Sequence, residues 1–172
     1  MNPKGTVKLE TKRLLLRRFT LDDVIPMFNN WASDQKVTAH LTWEPHKTHE
    51  DTQKIIKSWL SSYNSLNFYH WCIEAKSEQT PIGSVGVVEL DMNSESANIG
   101  YCLSSNWWNK GIMTEALEEV LKFLSNVVQL RSIFGYCNKQ NMRSNKVLQK
   151  FGVRAITDKH CSEMNDYFII GP

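Results

Sequence analysis

Apolar and polar positions recur along this chain with two different periods, and the changes of period mark its elements. Residues 13–19 form a leucine-rich run flanked by charge and predict a strand. Thr20, with Asp23 three residues on, resembles a helix-opening capping box; Leu21, Val24, Phe28 and Trp31 then recur at helical spacing. Pro26 lies too deep in that run for an interior position, so a late start or a kink is expected. Thr48 with Asp51 opens a second helix, which lines up Ile55, Ile56, Trp59, Leu60 and Tyr63 on one face. Strands are expected at about 68–75, 82–90 and 97–103. The connections between them are short and polar, Lys76-Ser77-Glu78 and Asp91-Met92-Asn93-Ser94, so neighbours should pair antiparallel.

The strongest helical pattern follows, an apolar stripe of Met113, Ala116, Leu117, Val120, Leu121 and Leu124. A strand at about 131–137 and a shorter helix at about 142–151 come next, with Gly152 where a helix end favours a left-handed residue. Two more strands, near 153–157 and 166–170, close the chain. The order β-α-α-β-β-β-α-β-α-β-β predicts an α/β (α+β) fold, a mixed, mostly antiparallel sheet of about seven strands flanked by about four helices.

With 172 residues and no repeat or low-complexity linker, the chain is expected to form one domain, 1–172. The net charge of +2 is scattered and argues against a nucleic-acid partner. No apolar stretch is long enough to cross a bilayer, and residues 1–11 lack the apolar centre of a signal peptide. Cys72, Cys102, Cys137 and Cys161 lie far apart, three of them in apolar strand-like runs, which suits reduced core thiols and a cytoplasmic location. His46 and His49 are three apart without a second ligand pair; a solvated loop and no metal are expected there.

Chemistry concentrates in Ser104–Ala116, where a polar loop joins a strand to the strongest helix. The first turn of a helix carries backbone N–H groups without partners, and its dipole adds positive potential. Gly111 allows close backbone approach and Lys110 adds charge, so an anion or nucleotide cofactor suits the loop. Neither G-x-x-x-x-G-K-[ST] nor G-x-G-x-x-G is present.

The segment Trp108-Asn109-Lys110-Gly111-Ile112-Met113-Thr114-Glu115-Ala116 resembles the acetyl-CoA motif W-G-K-G-Y-A-T-E-A of Gcn5-related N-acetyltransferases (GNAT), in the form found in RimJ/RimL-type ribosomal-protein N-terminal acetyltransferases. Residues 97–103 resemble the family's A-E-I-G-Y strand, and residues 141–153 its N-x-x-S-x-x-V-L-E-K-x-G-F helix. Residues 10–17 are similar to its opening E-T-x-R-L-x-L-R.

The resemblance implies transfer of an acetyl group from acetyl-CoA to a primary amine, by direct attack on the thioester and without a metal. The acceptor would be a protein N-terminal amine, with a small-molecule amine (polyamine, amino acid or aminoglycoside) or a non-catalytic acetyl-CoA module as alternatives. Pantetheine would add to the strand 97–103 as an extra strand, pairing near Tyr101, Cys102 and Leu103. Backbone groups of Trp108, Asn109, Lys110, Gly111, Ile112, Met113 and Thr114 would hold the diphosphate, faced by Asn141, Ser144 and Lys146. A backbone N–H near Tyr101 or Cys102 would stabilise the oxyanion.

Three positions depart from the family pattern. Asn98 replaces a common glutamate, Met113 replaces a small residue and is expected to crowd the loop, and Leu148 stands where many members carry a tyrosine acid. Ser144 is then the candidate proton donor to the leaving thiolate, with Asn141 beside it, and Glu89, Glu163 and His160 are candidate bases. The stretch 40–49, with Trp43 and Pro45, is expected over the acceptor side. Pairing of two copies as a homodimer is left open by the residues.

Overall fold

The computed structural model of the protein describes residues 1–155 and 164–170. Its strands are β1 (Leu9–Glu10), β2 (Leu14–Arg17), β3 (His70–Ala75), β4 (Thr80–Asp91), β5 (Ser96–Leu103), β6 (Ser132–Asn138), β7 (Val153–Ala155) and β8 (Met164–Ile170). They make one eight-stranded sheet in the order β1-β2-β3-β4-β5-β6-β8-β7. Every pairing is antiparallel except β5 with β6. The strand beyond the expected seven is β1, too short for alternation to reveal; it exists because Leu9 and Glu10 pair with Leu16 and Leu15.

Helix α1 (Val24–Met27) runs on from a 3₁₀ turn, Leu21–Asp23, and into a π turn, Phe28–Ala32. The late start explains Pro26, which falls in the first turn of α1, where the N–H that proline lacks would have no intrahelical acceptor. A single-turn helix, α2 (Gln35–Thr38), follows, capped by Asp34. Helix α3 (His49–Ser62) opens with the expected Thr48/Asp51 capping box. Helix α4 (Ile112–Lys122) ends in a π turn, Phe123–Val127, and α5 (Met142–Leu148) is capped by Asn141.

Two apolar cores lie against the sheet. The apolar stripe of α4 joins Leu14, Leu16, Trp71, Ile73, Val85 and Ile133 in the larger one. Phe19, Met27, Trp31, Ile56, Tyr63 and Cys72 form the second beneath α1 and α3. Alternation along β3 serves both, with Trp71 and Ile73 turned to one core and Cys72 to the other. Arg17 bridges the two layers: its guanidinium donates to both oxygens of buried Asp23 (2.7 and 2.8 Å) and to Glu74 (2.6 Å). Among the described residues no helix is long and apolar enough to cross a membrane.

The sheet contains one discontinuity. The parallel ladder between β5 and β6 runs from Ser96↔Ser132 to Ile99↔Gly135 and stops, although β5 continues to Leu103 and β6 to Asn138. From Gly100 onward β5 keeps β4 on one side and, among the described residues, pairs with no strand on the other.

Candidate active site

A cavity of about 650 Å³ lies at this parting of the strands. It is walled by Tyr101, Cys102 and Leu103 of β5, by Trp107–Thr114 except Lys110, and by one face of α5. It extends beneath α1–α3 to Trp31, His40, Trp43, His46, Trp59 and His70.

Antiparallel pairing decides which peptide groups of β5 face the gap, because successive residues point alternately toward and away from the partner strand. The N–H of Ser104 donates to Ile82 O at 2.8 Å, so Ser104 faces β4, and by alternation Cys102 and Gly100 do too. Tyr101 and Leu103 therefore present their peptide groups to the gap. The carbonyl of Leu103 is taken by the indole N–H of Trp108 (2.9 Å). What remains is a donor and an acceptor from Tyr101 and a donor from Leu103, the set that an extended amide chain pairs with. Cys102, expected to share in the pairing and in oxyanion binding, is turned the other way; its thiol lies 3.3 Å from Ser84 Oγ. Burial pushes that thiol above its ordinary pKa.

The loop before α4 contains two left-handed residues, Asn109 (φ 60°) and Gly111 (φ 73°). Gly111 occupies the N-cap position and has no side chain to cap with. Among the described residues, the N–H groups of Asn109 through Thr114 find no protein acceptor. The run of free N–H groups begins one residue later than the expected cradle, because the N–H of Trp108 closes a turn to Ser105 O at 3.3 Å. Met113, expected to crowd the loop, is largely buried in the larger core and also lines the cavity. Lys110 also departs from expectation. Its ammonium sits 5.1 Å from the centre of the Trp107 ring instead of on the cavity wall.

Arg13 and Glu115 clamp the loop from behind. Arg13 donates to Glu115 through its backbone N–H (2.9 Å) and Nε (2.6 Å), and through Nη1 to Lys110 O (2.9 Å). Burial raises the Glu115 pKa, but these donors and Thr11 Oγ1 (2.5 Å) outweigh it and hold the carboxyl below its ordinary value. Two segments distant in sequence, 10–17 and 108–116, thereby form one structure.

Across the gap, Asn141 Oδ1 caps α5 by accepting from Ser144 N (3.1 Å), and both residues line the cavity. Ser144 Oγ lies 2.8 Å from the phenol oxygen of Tyr101. Burial raises the pKa of that phenol. Sequence reading named Lys146 but missed Arg143 and Lys150, which line the cavity with it. Their spacing of three and four residues on a helix was the available signal. Arg143 lies 4.1 Å from the centre of the Trp108 ring, and Lys150 Nζ 3.3 Å from Thr114 Oγ1. Asn145 was also missed: its amide donates to the carbonyls of Asn138 and Asn141, and its oxygen accepts from Tyr167, fixing the turn that carries Asn141.

Among the candidate bases, Glu89 is not brought to the cavity. It pairs with Asn98 across the β4–β5 ladder, just past a bulge, and accepts its amide at 2.6 Å. Glu163 and His160 lie outside the described residues. Leu148 is buried against Gly135 and the larger core. Of the stretch 40–49, expected over the acceptor side, His40 and Trp43 line the half of the cavity beneath α1–α3 and Pro45 does not. His46 is no solvated loop residue, for it is half-buried with Nδ1 2.8 Å from Thr52 Oγ1.

The sequence profile of the acetyltransferase (GNAT) domain matches residues 13–154, most of the chain and every wall described above. The protein belongs to the GNAT acetyltransferase family. This GNAT chain is 28% identical over 144 residues to YoaA, an uncharacterised N-acetyltransferase of Bacillus subtilis, covering 84% of this chain and 81% of YoaA. Its fold is similar to that of a GNAT-family acetyltransferase from Bacillus anthracis, with TM-score 0.79 and 22% identity over 95% of this chain and 98% of the other. It is likewise similar to a ribosomal-protein-S5-alanine acetyltransferase from Vibrio fischeri, with TM-score 0.71 and 18% identity over 94% of both chains. The protein is an N-acetyltransferase that uses acetyl-CoA, and no metal-binding group of side chains occurs among the described residues.

Proposed function

We propose that this GNAT enzyme acetylates a protein N-terminal amine, in the manner of the RimJ/RimL-type enzymes it resembles. The parting of β5 from β6 beside unpaired N–H groups carries the reading. Pantetheine extends along Tyr101 and Leu103, the diphosphate rests on the N–H groups of residues 109–114, and Arg143, Lys146 and Lys150 supply positive charge. The Tyr101 N–H is the oxyanion donor, a contribution of about 2.7–4 kcal/mol to the transition state. The Ser144 and Tyr101 hydroxyls, in contact with each other, return a proton to the departing thiolate, in place of the tyrosine missing at Leu148. The buried thiols Cys72 and Cys137 suit a reducing cytoplasm.

The acceptor half favours a peptide over a polyamine or aminoglycoside. Trp31, Trp43 and Trp59 line it together with Lys36, and no carboxylate lines it among the described residues. A polycation meets no counter-charge there, whereas a chain terminus brings one amine and an apolar first side chain. Unblocked peptides, spermidine and an aminoglycoside offered in parallel with labelled acetyl-CoA test this. Acetylation of peptide α-amines is expected; labelling of spermidine or the aminoglycoside alone would refute it.

A further inference from the structure

We infer that His46 takes the proton from the acceptor amine. The inference rests on the acetyl-transfer reading above, and not on which amine is the acceptor. An alkylammonium ion has no lone pair, so a base must act before the amine can attack. Among the described residues the titratable groups lining the acceptor half are Lys36, His40, His46 and His70, besides the thiol of Cys102. Lys36 is exposed. His40 is exposed, and among the described residues no hydrogen bond or ring contact orients it. The ring of His70 sits among Phe19, Trp59 and Phe68, and its Nε2 is sealed from solvent without a partner.

His46 is held differently. Its backbone N–H donates to Ala32 O at the end of the π turn (2.9 Å), and its Nδ1 meets Thr52 Oγ1 in α3 at 2.8 Å. Thr52 is fully buried, so that contact is fixed by the helix behind it. Trp43 covers the ring, with centroids 5.3 Å apart. When Nδ1–H donates to Thr52, Nε2 presents a lone pair on a cavity-lining residue, a base oriented by a third group. Burial lowers the imidazole's pKa from its ordinary 6.5, against a smaller opposing effect of Asp51, which keeps it neutral at physiological pH.

The step balances as follows. Nε2 accepts one ammonium proton, the freed lone pair forms the C–N bond, and the C–S bond breaks with its electrons on sulfur. The adduct's second N–H proton passes through the Tyr101 and Ser144 hydroxyls to the thiolate to give coenzyme A, and the imidazolium releases its proton to water.

The test uses the full chain and whichever amine of the peptide, spermidine and aminoglycoside panel is acetylated, so an error in acceptor class does not obscure it. His46→Gln is expected to lower kcat/KM about a hundredfold, with acetyl-CoA affinity by calorimetry unchanged. Added imidazole should restore part of the rate of His46→Ala. In the wild type, kcat/KM should rise with pH through a limb below 6.5, where Nε2 loses its proton, lowered by burial against an opposing effect of Asp51, with Lys36, His40 and His70 lining the same half of the cavity; this limb should vanish in His46→Gln. Thr52→Val, which unties Nδ1, should lose about tenfold and shift the limb, and Thr52→Ser should recover, while exposed His49→Gln stays at the wild-type rate. Turnover of His46→Gln within threefold of wild type would overturn the assignment, as would an unchanged acid limb. If His46→Gln does not fold, a Thr52→Val limb and rate like the wild type's overturn it instead. If no amine in the panel is acetylated, both readings fall.

Discussion

Substituting Gly111 separates two explanations for a glycine in the loop before α4. It could be needed so that a phosphate can approach the backbone, or because the backbone is left-handed. At φ 73° an L side chain is strained, yet a Cβ added there meets only Arg13 Nη2 at 3.6 Å, an ordinary contact. The cost of Gly111→Ala is therefore torsional, about 1–2 kcal/mol. The loop cannot easily relax it, because Lys110 O is held by Arg13 and Gly111 O by Glu115 N at 3.1 Å. For a chain of this length that cost lowers Tm by about 2–8 °C. Gly111→Asn should lose less than half as much, since asparagine tolerates the left-handed region. Both variants should bind acetyl-CoA within about threefold of wild type, because the strain is the same with and without cofactor. Differential scanning calorimetry and isothermal titration read the two quantities separately. An unchanged Tm in Gly111→Ala, with affinity down tenfold or more, would refute the conformational account and restore the one based on phosphate approach.

Arg17→Met strands buried Asp23 beside Glu74 and should cost about 3–5 kcal/mol in urea unfolding; a loss below 1 kcal/mol would show that water replaces the guanidinium. Burial depresses His70 to about 4 from 6.5. The stability this implies is complete above pH 6.5 and is lost as pH falls toward 4, up to about 3 kcal/mol. His70→Phe should flatten that slope, and a variant as acid-sensitive as the wild type would place the effect elsewhere.

The local elements were legible because their signals are local. The α4 stripe, the Thr48/Asp51 box and the polar turns between strands each lie within a few residues of what they determine. The fold class followed from them and from resemblance to GNAT motifs, and so did a run of free N–H groups before α4, though it begins at residue 109 and not at 108. The short strand β1 and the single-turn α2 escaped because two to four residues carry no readable period.

Tertiary structure decided everything that depends on which distant residues meet. Strand alternation selects Tyr101 over Cys102 for the gap, yet only the end of the β5–β6 ladder at Ile99 creates the gap. The Arg13–Glu115 clamp joins residues a hundred positions apart, and Glu89, plausible as a base by its place on a strand, is spent on Asn98. His46 reads as a loop histidine until α3 brings Thr52 to its ring. Periodicity reports which face of an element is apolar, because one helix or strand suffices to bury a stripe. It is silent on partners, because hydrogen bonds and proton transfer depend on ångström-scale distances that only the packed chain sets.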